Sequence, residues 1–432
     1  MEQLLHYVWK HRLYPLTGLV TVDGQRVEVL DPGLNNIHAG PDFSEAKVII
    51  GDTTWAGNVE LHLKASDWYL HHHESDGRYD NIILHVVTDS DTLICRNDGS
   101  PIPQVVLPIP PSVTENYRAL LSADRYPPCY HVVGDLSRFM VHSWLSALLC
   151  ERLELRTTQI QQRYEQHELN WDDALFSTLA RGFGFGVNGD AFDAWARSIP
   201  FRAVDHHRDN LLQVEAIFFG QAGLLDENAL PQSHREAALA EPYYQQLRRE
   251  YAFLAHKFSL TPISYTLWKF ARMRPDGSPF VRMAQLAKLY HQASVTVSKL
   301  RDAADREAIS AMLRVTASSY WDTHFSFGSD ATTLRPKALG ESSIRLLLIN
   351  VMLPFLFACS RHRQDEQGAE RAIAIFESLP AEDNHITRDW SGCGLNVDNA
   401  ADSQALIHLK NRYCNTHDCL RCRIGYEYLK RS

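Results

Sequence analysis

The hydrophobic period of this chain changes once, and that change limits the folds open to it. Up to about residue 110, apolar residues alternate with polar ones or come in short runs, the period of strands. Beyond about residue 135 the spacing becomes three or four over long stretches, as in "MVHSWLSALLCERLELRTTQIQQRYEQ", "WDDALFSTLARGFGF" and "RLLLINVMLPFLFACSRHR". Proline-rich "PIPPS" and "RYPPCYHVVGDL" bracket the change. The expectation is an α+β protein: an α/β sandwich over residues 1–110, a linker over 111–134, and an all-α region over 135–432 with a Cys-rich basic tail. No fixed-period repeat points to a solenoid.

Within residues 1–110 the order reads α-β-β-β-β-(α)-β, not alternating βαβ units. "EQLLHYVWKHRL" has helical spacing. "LVTVDGQRVEVLD" predicts two short strands around the Asp23-Gly24 turn. "AKVIIG", "NVELHLK" and "IILHVV" predict three more strands, and "TLICRNDGSPIPQVVLPIP" a further hairpin. In "NVELHLK" the polar side of the alternation carries Asn58, Glu60, His62 and Lys64. An acid, an imidazole and an ammonium in a row are not the usual water-facing face of a strand.

Charge sharpens this. The formal net charge is −9, and residues 1–110 hold 7 Lys+Arg against 15 Asp+Glu. An acidic region of this kind argues against an unaided polyanion-binding surface there and permits a site that collects divalent cations. Asp42, in "AGPDF", sits where a loop enters a strand, and adjacent antiparallel strands would bring it to Glu60. Two carboxylates make an oxygen-rich site suited to Mg²⁺ or Mn²⁺. Such an ion polarises a phosphoryl oxygen and lowers the pKa of water, and His62 or Lys64 would orient the attacking water. The same residues also fit a solvated strand face laced with cross-strand pairs. His85 lies inside an apolar strand, either as a hydrogen-bonded core histidine or as a site residue. His71, His72 and His73 form a run without metal spacing, since strand neighbours oppose and helix neighbours diverge; His72 and His85 are taken as substrate contacts.

"GPDF", "VELHLK" and the strand order resemble the PD-(D/E)xK nuclease superfamily. The resemblance implies a mixed sheet, a metal bound by Asp42 and Glu60, a further acid at Glu2 on the first helix, and phosphodiester hydrolysis. His62 stands at the superfamily's usual lysine position, with Lys64 one pleat further on.

The tail "YCNTHDCLRCRIGY" places Cys414, Cys419 and Cys422 together. A Cys-x2-Cys pair suits a tight turn around zinc or one corner of an iron–sulfur cluster. Cys393, His417 and Cys129 are the candidates for a fourth ligand; the alternative is three reduced cysteines acting as small hydrophobes. Some PD-(D/E)xK nucleases carry an iron–sulfur staple of one remote and three C-terminal cysteines, a loose similarity. Arg412, Arg421, Arg423 and Lys430 interleave with the cluster.

In the helical region, Gly182, Gly184 and Gly186 do not follow a strand and read as a helix end. Arg272, Arg274 and Arg282 flank a Pro-Asp-Gly turn and would bind phosphate or pair with acids. Trp321, His324 and Phe325 read as core or interface aromatics.

No apolar run reaches the roughly eighteen residues of a membrane span, and the N-terminus has no basic segment leading into a long apolar core. Eight cysteines, five far apart and three crowded at the end, fit a reduced, cytoplasmic protein with one possible metal or redox cluster. "GPDF…VELHLKASDW…HHH…ILHVV", "WDDALFSTLARGFGFGVN", "EAIFFGQAGLL", "RMRPDGSPFVRMAQLA" and "YCNTHDCLRCRIG" together resemble a bacterial domain-of-unknown-function family, number 2851. That resemblance implies a bacterial protein and supplies no activity. The expectation is a metal-dependent phosphodiesterase acting on nucleic acid. The alternative is an inactive nuclease-like module that binds nucleic acid, or a protein partner through the helical region.

Overall fold

Val59, Glu60, Leu61 and His62 are consecutive and all buried, so the strand that carries them is covered on both faces. The computed structural model describes residues 1–431 except 37, 272–274 and 330–333, and of 202 and 203 it describes the backbone alone. Helix α1, Glu2–His11, turns Leu4, Leu5, Tyr7, Val8 and Trp9 inward and ends at Arg12 in the left-handed region. Strands β1 (Val27–Asp31), β2 (Leu34–Asn35), β3 (Phe43–Ile50), β4 (Thr53–Lys64), β5 (Ile82–Asp89) and β6 (Gln104–Val106) form one sheet. Its order is β1-β3-β4-β5-β6, with β2 paired to β3 off that path.

The sheet is mixed. β1, β3 and β4 pair antiparallel, whereas β4–β5 and β5–β6 are parallel. A parallel step needs a crossover. Here the segment between β4 and β5 supplies it, opening with the short helix α2 (Asp67–Leu70). The Asp23-Gly24 turn forms as expected, with a bridge between Val20 and Arg26, but its first arm is not a full strand. The "TLICRNDGSPIPQVVLPIP" segment differs more: Cys95 and Pro101 make a single bridge, and β6 then runs parallel to β5.

β3 is irregular where the site begins. Its ladder with β4 shifts register between Phe43 and Ala46, and Glu45 takes φ 59°. A bulge of this kind bends the strand and re-aims side chains beside it. Gly33, at φ +88°, lets the β1–β2 turn lie against that bulge: a Cβ there would come within 2.5 Å of the Ser44 carbonyl oxygen.

Beyond β6 the chain is mainly helical. The segment read as a linker holds a helix, Pro111–Ser122. Two compact units emerge, the first comprising Met1–Trp144, Asn384–Asn396 and Ile407–Ser432, the second Leu145–Asp383 and Val397–Leu406. The second unit is helical around aromatic residues, among them Trp195, Phe218 and Phe219, all fully buried. As expected, the glycines from Gly182 close the helix Trp171–Phe183.

The expectation of no membrane-length apolar segment needs correcting. The helical run Glu341–His362 has that length and composition, with 72% of its apolar window buried within the protein. Arg345 and Asn350 interrupt the run in sequence and hide it from a count of consecutive apolar residues. A π turn, Leu348–Met352, precedes Pro354, whose missing N–H leaves the regular ladder one donor short.

Gly24 and Gly33 allow a test of the bulge contact, because both have φ near +89° but Gly24 faces open space. Gly24→Ala should cost about 1 kcal/mol, the penalty of a left-handed alanine. Gly33→Ala should cost about 2–3 kcal/mol, because a backbone clash is added. Denaturant titration of the two variants checks the order; equal effects would remove the close-approach argument.

Candidate metal centre

Asp42 lies one residue before β3, and Glu60 lies in the buried half of β4. The Asp42 backbone N–H donates to Glu60 Oε2 at 3.0 Å, and the Leu61 N–H donates to Asp42 Oδ2 at 3.0 Å. Each carboxylate is therefore held by the other's backbone segment. The Asp42 side chain keeps 23% exposure and Glu60 only 5%. Burial pushes both carboxyls above the ordinary range. His6, whose Nε2 is 3.3 Å from Asp42 Oδ2, pulls Asp42 back, and a hydrogen bond with His73 pulls Glu60 back. Glu2 is felt at Asp42 as a further negative charge.

Histidines complete the site. His62 Nδ1 meets His85 Nε2 at 2.9 Å, and His62 Nε2 meets His71 Nδ1 at 3.1 Å. Glu60 Oε1 lies 3.2 Å from His73 Nε2 and 3.8 Å from His62 Nε2. Trp68 of α2 packs edge-on to His73 and His85, and Tyr79 stacks on His73 at 3.9 Å. Burial, then the neighbouring imidazoles, push the His62 pKa down to about 2. Burial likewise takes His85 to about 4 against the opposing pull of Gln104, its register neighbour on β6. Both rings are neutral at ordinary pH, and neutral imidazole is the form that ligates metals.

Asp42, Glu60, His62 and His85 thus converge. Lys64 does not join them: it is exposed, and its charge is felt at Asp91. His72 turns outward, its side chain 81% exposed beside Glu74. His6, His71 and His73 are the site residues that periodicity passes over. His72 has φ 60°, a left-handed step that lets both neighbours reach the site while its own side chain leaves. The "HHH" run at the end of "SDWYL" was the signal, but helix and strand rules alike send neighbours apart. Arg272 and Arg274 lie outside the described residues. Arg282 stacks over Phe185 at 4.4 Å and hydrogen-bonds Gln285 and Ser343. Trp321 is fully buried, and His324 contacts Glu241 at 3.2 Å, so both serve packing.

A second cluster forms at the other end of the chain. Cys129, Cys414, Cys419 and Cys422 line one small cavity with Leu120, Trp390 and Tyr413. Of the three candidates for a fourth ligand, the fold brings Cys129 there. Burial first, then the neighbouring thiols, raise Cys414 to about 12, and burial followed by Cys422 raises Cys419 to about 11. Cys129 is raised by the same causes. Burial raises Cys422 too, and the N–H groups of Gly425 and Ile424, at the start of the helix Arg423–Leu429, offset part of that rise. Gly425 is required, since a Cβ there would lie 2.1 Å from the Cys419 carbonyl oxygen. Cys129 and Cys422 are buried there, and Cys414 and Cys419 partly exposed.

Comparison with curated proteins and with solved structures gives no match. A family profile does match, over residues 2–385, a span that includes the β3–β4 carboxylates, all the histidines of the site and Cys129. On that match the chain belongs to the family described as "Protein of unknown function (DUF2851)".

Proposed function

We propose that the protein is a metal-dependent phosphodiesterase acting on nucleic acid, with an N-terminal domain of PD-(D/E)xK type. The observation that carries this reading is the reciprocal backbone lock between Asp42 and Glu60, with His62 next on the same face of β4. The order of one helix, four strands, a crossover and two strands, and the mixed sheet, agree with it. A divalent ion at this site polarises a phosphoryl oxygen and lowers the pKa of water. The chain's own groups do the rest. The Leu61 N–H fixes the Asp42 carboxylate, and the Asp42 N–H fixes Glu60. His6 holds the open side of Asp42, and His62 takes the place of the usual lysine. By itself, the second unit has a cavity of about 690 Å³ lined by Arg156, Arg163, Arg181 and Arg197, the last three of which contact the buried carboxylate of Asp193.

One observation favours a second reading, a nuclease-like module without turnover. Glu60 and His62 are nearly closed to solvent, and both are engaged by neighbours. Labelled single- and double-stranded DNA and RNA, incubated with the protein and Mg²⁺, Mn²⁺ or Zn²⁺, separate the two. The first reading expects ion-dependent cleavage that falls about 100-fold or more in Asp42→Asn and Glu60→Gln, the loss of several kcal/mol of charge stabilisation. Nucleic-acid binding without cleavage under every ion supports the second reading and overturns the first.

We propose also that Cys129, Cys414, Cys419 and Cys422 hold a thiolate-bound centre, zinc or iron–sulfur. Metal analysis and visible absorption of protein purified without oxygen tell the two apart. Cys129→Ser should remove the centre and lower the melting temperature, whereas Cys150→Ser, exposed and far from the cavity in sequence, should change neither. A metal-free, colourless wild-type protein would remove this centre.

A further inference from the structure

We propose that His62, His71 and His73, with the Glu60 carboxylate beside them, form a binding site for one divalent transition-metal ion of the zinc, cobalt or manganese kind, in preference to Mg²⁺. This rests on the metal-site reading above and deepens it by naming the ion class and its ligands. The three imidazole nitrogens lie within 4.8 Å of one another. Among the described residues they are the one group of three or more His, Cys, Asp or Glu ligand atoms drawn so close. Two ligands bound at about 2.0–2.2 Å to one ion stand about 3.0–3.5 Å apart in octahedral or tetrahedral geometry. The separations here are 3.1 Å for His62–His71, 3.2 Å for His73–Glu60 and 3.8 Å for His62–Glu60. The three imidazoles are the converging group, and Glu60, nearest His73, stands at its edge.

The outer contacts fit as well. A neutral imidazole has one N–H and one lone pair. His62 Nδ1 is directed at His85 Nε2, so a proton on Nδ1 leaves the Nε2 lone pair facing His71 and Glu60. A second ring nitrogen fixed by a hydrogen bond is the usual support of a ligating histidine. Glu60 Oε2 is likewise held, by the Asp42 N–H, which leaves Oε1 to face the imidazoles. His71 is exposed and opens the site to solvent, an entry path for the ion. Mg²⁺ takes oxygen ligands and keeps its waters, whereas imidazole suits zinc and its neighbours. Three nitrogens and one carboxylate oxygen therefore select against Mg²⁺. Asp42, tied to the Glu60 segment by the crossed backbone bonds and more exposed than Glu60, stays outside this ligand set.

The test is a titration of the full-length, metal-free protein with Co²⁺, read by visible absorption without any substrate. Cobalt on thiolates gives a strong near-ultraviolet charge-transfer band, and a Cys422→Ser variant run alongside separates that centre from this one. The proposal expects a nitrogen/oxygen-type spectrum saturating at one equivalent, unaffected by millimolar Mg²⁺. Affinity should fall about 10- to 100-fold in His71→Ala and His73→Ala and stay unchanged in His72→Ala, the outward-facing control. His71 is exposed, so its variant folds, and circular dichroism verifies this. No nitrogen/oxygen spectrum, displacement by Mg²⁺, or equal affinity in the His71 and His72 variants would overturn the proposal and leave a hydrogen-bonded imidazole cluster. Cobalt binding in a protein that cleaves no nucleic acid under any ion would keep this centre and remove only the phosphodiesterase reading.

Discussion

Two backbone N–H groups, those of Asp42 and Leu61, hold the first unit's chemistry in place. Each donates to the carboxylate of the opposite segment, so the start of β3 and the middle of β4 are tied by crossed charge-assisted hydrogen bonds. Buried carboxylates are costly unless their oxygens are engaged. The crossed pair meets that cost for one oxygen on each side; Glu60 turns its other oxygen to His73 and His62, and Asp42 Oδ2 also faces His6. The bulge at Glu45 follows from the same constraint, since β3 must break register to present Asp42 to β4 and still return to a regular ladder at Ala46.

Much of this was legible in the sequence, and the reasons are local. β4 announced itself because Val59, Leu61 and Leu63 alternate with Glu60, His62 and Lys64. Its polar face was correctly read as unusual, and Asp42 and Glu60 do meet. Lys64 is on the right face of the alternation but beyond the buried stretch, a limit that periodicity does not mark. His71 and His73 were hidden because one residue, His72, adopts a left-handed conformation that a minority of histidines take and that periodicity does not mark. β6 was misread as one arm of a hairpin because a three-residue parallel strand depends on its tertiary neighbour, not on its own pattern. Cys129 could be named only as one candidate among three. Its pairing with the tail is a long-range contact that spacing cannot select.

The first unit is discontinuous in sequence, since it takes up residues 384–396 and the C-terminal tail. The cysteine cavity lies within that unit and draws on three separate stretches: Leu120 to Cys129, Trp390, and the tail from Leu409 to Gly425. Cutting the chain after residue 110 or 134 would therefore not isolate the sheet as it folds here. The cut after 134 would remove three of the four cysteines and leave Cys129 and Leu120 facing water, and the cut after 110 would remove all four.

The left-handed step at His72 has an evolutionary side. Deleting any one of the three histidines from "HHH" yields the same two-histidine sequence, with every remaining residue type still present. The shortened loop would nonetheless lack the outward step that lets the flanking rings converge, so such a deletion would be silent by composition and severe by geometry. Exchange of the middle residue is the opposite case. Asparagine or glycine, which enter the left-handed region more readily than histidine, would serve position 72 at least as well. The run is therefore best regarded as two fixed positions separated by a hinge whose side chain is free to drift.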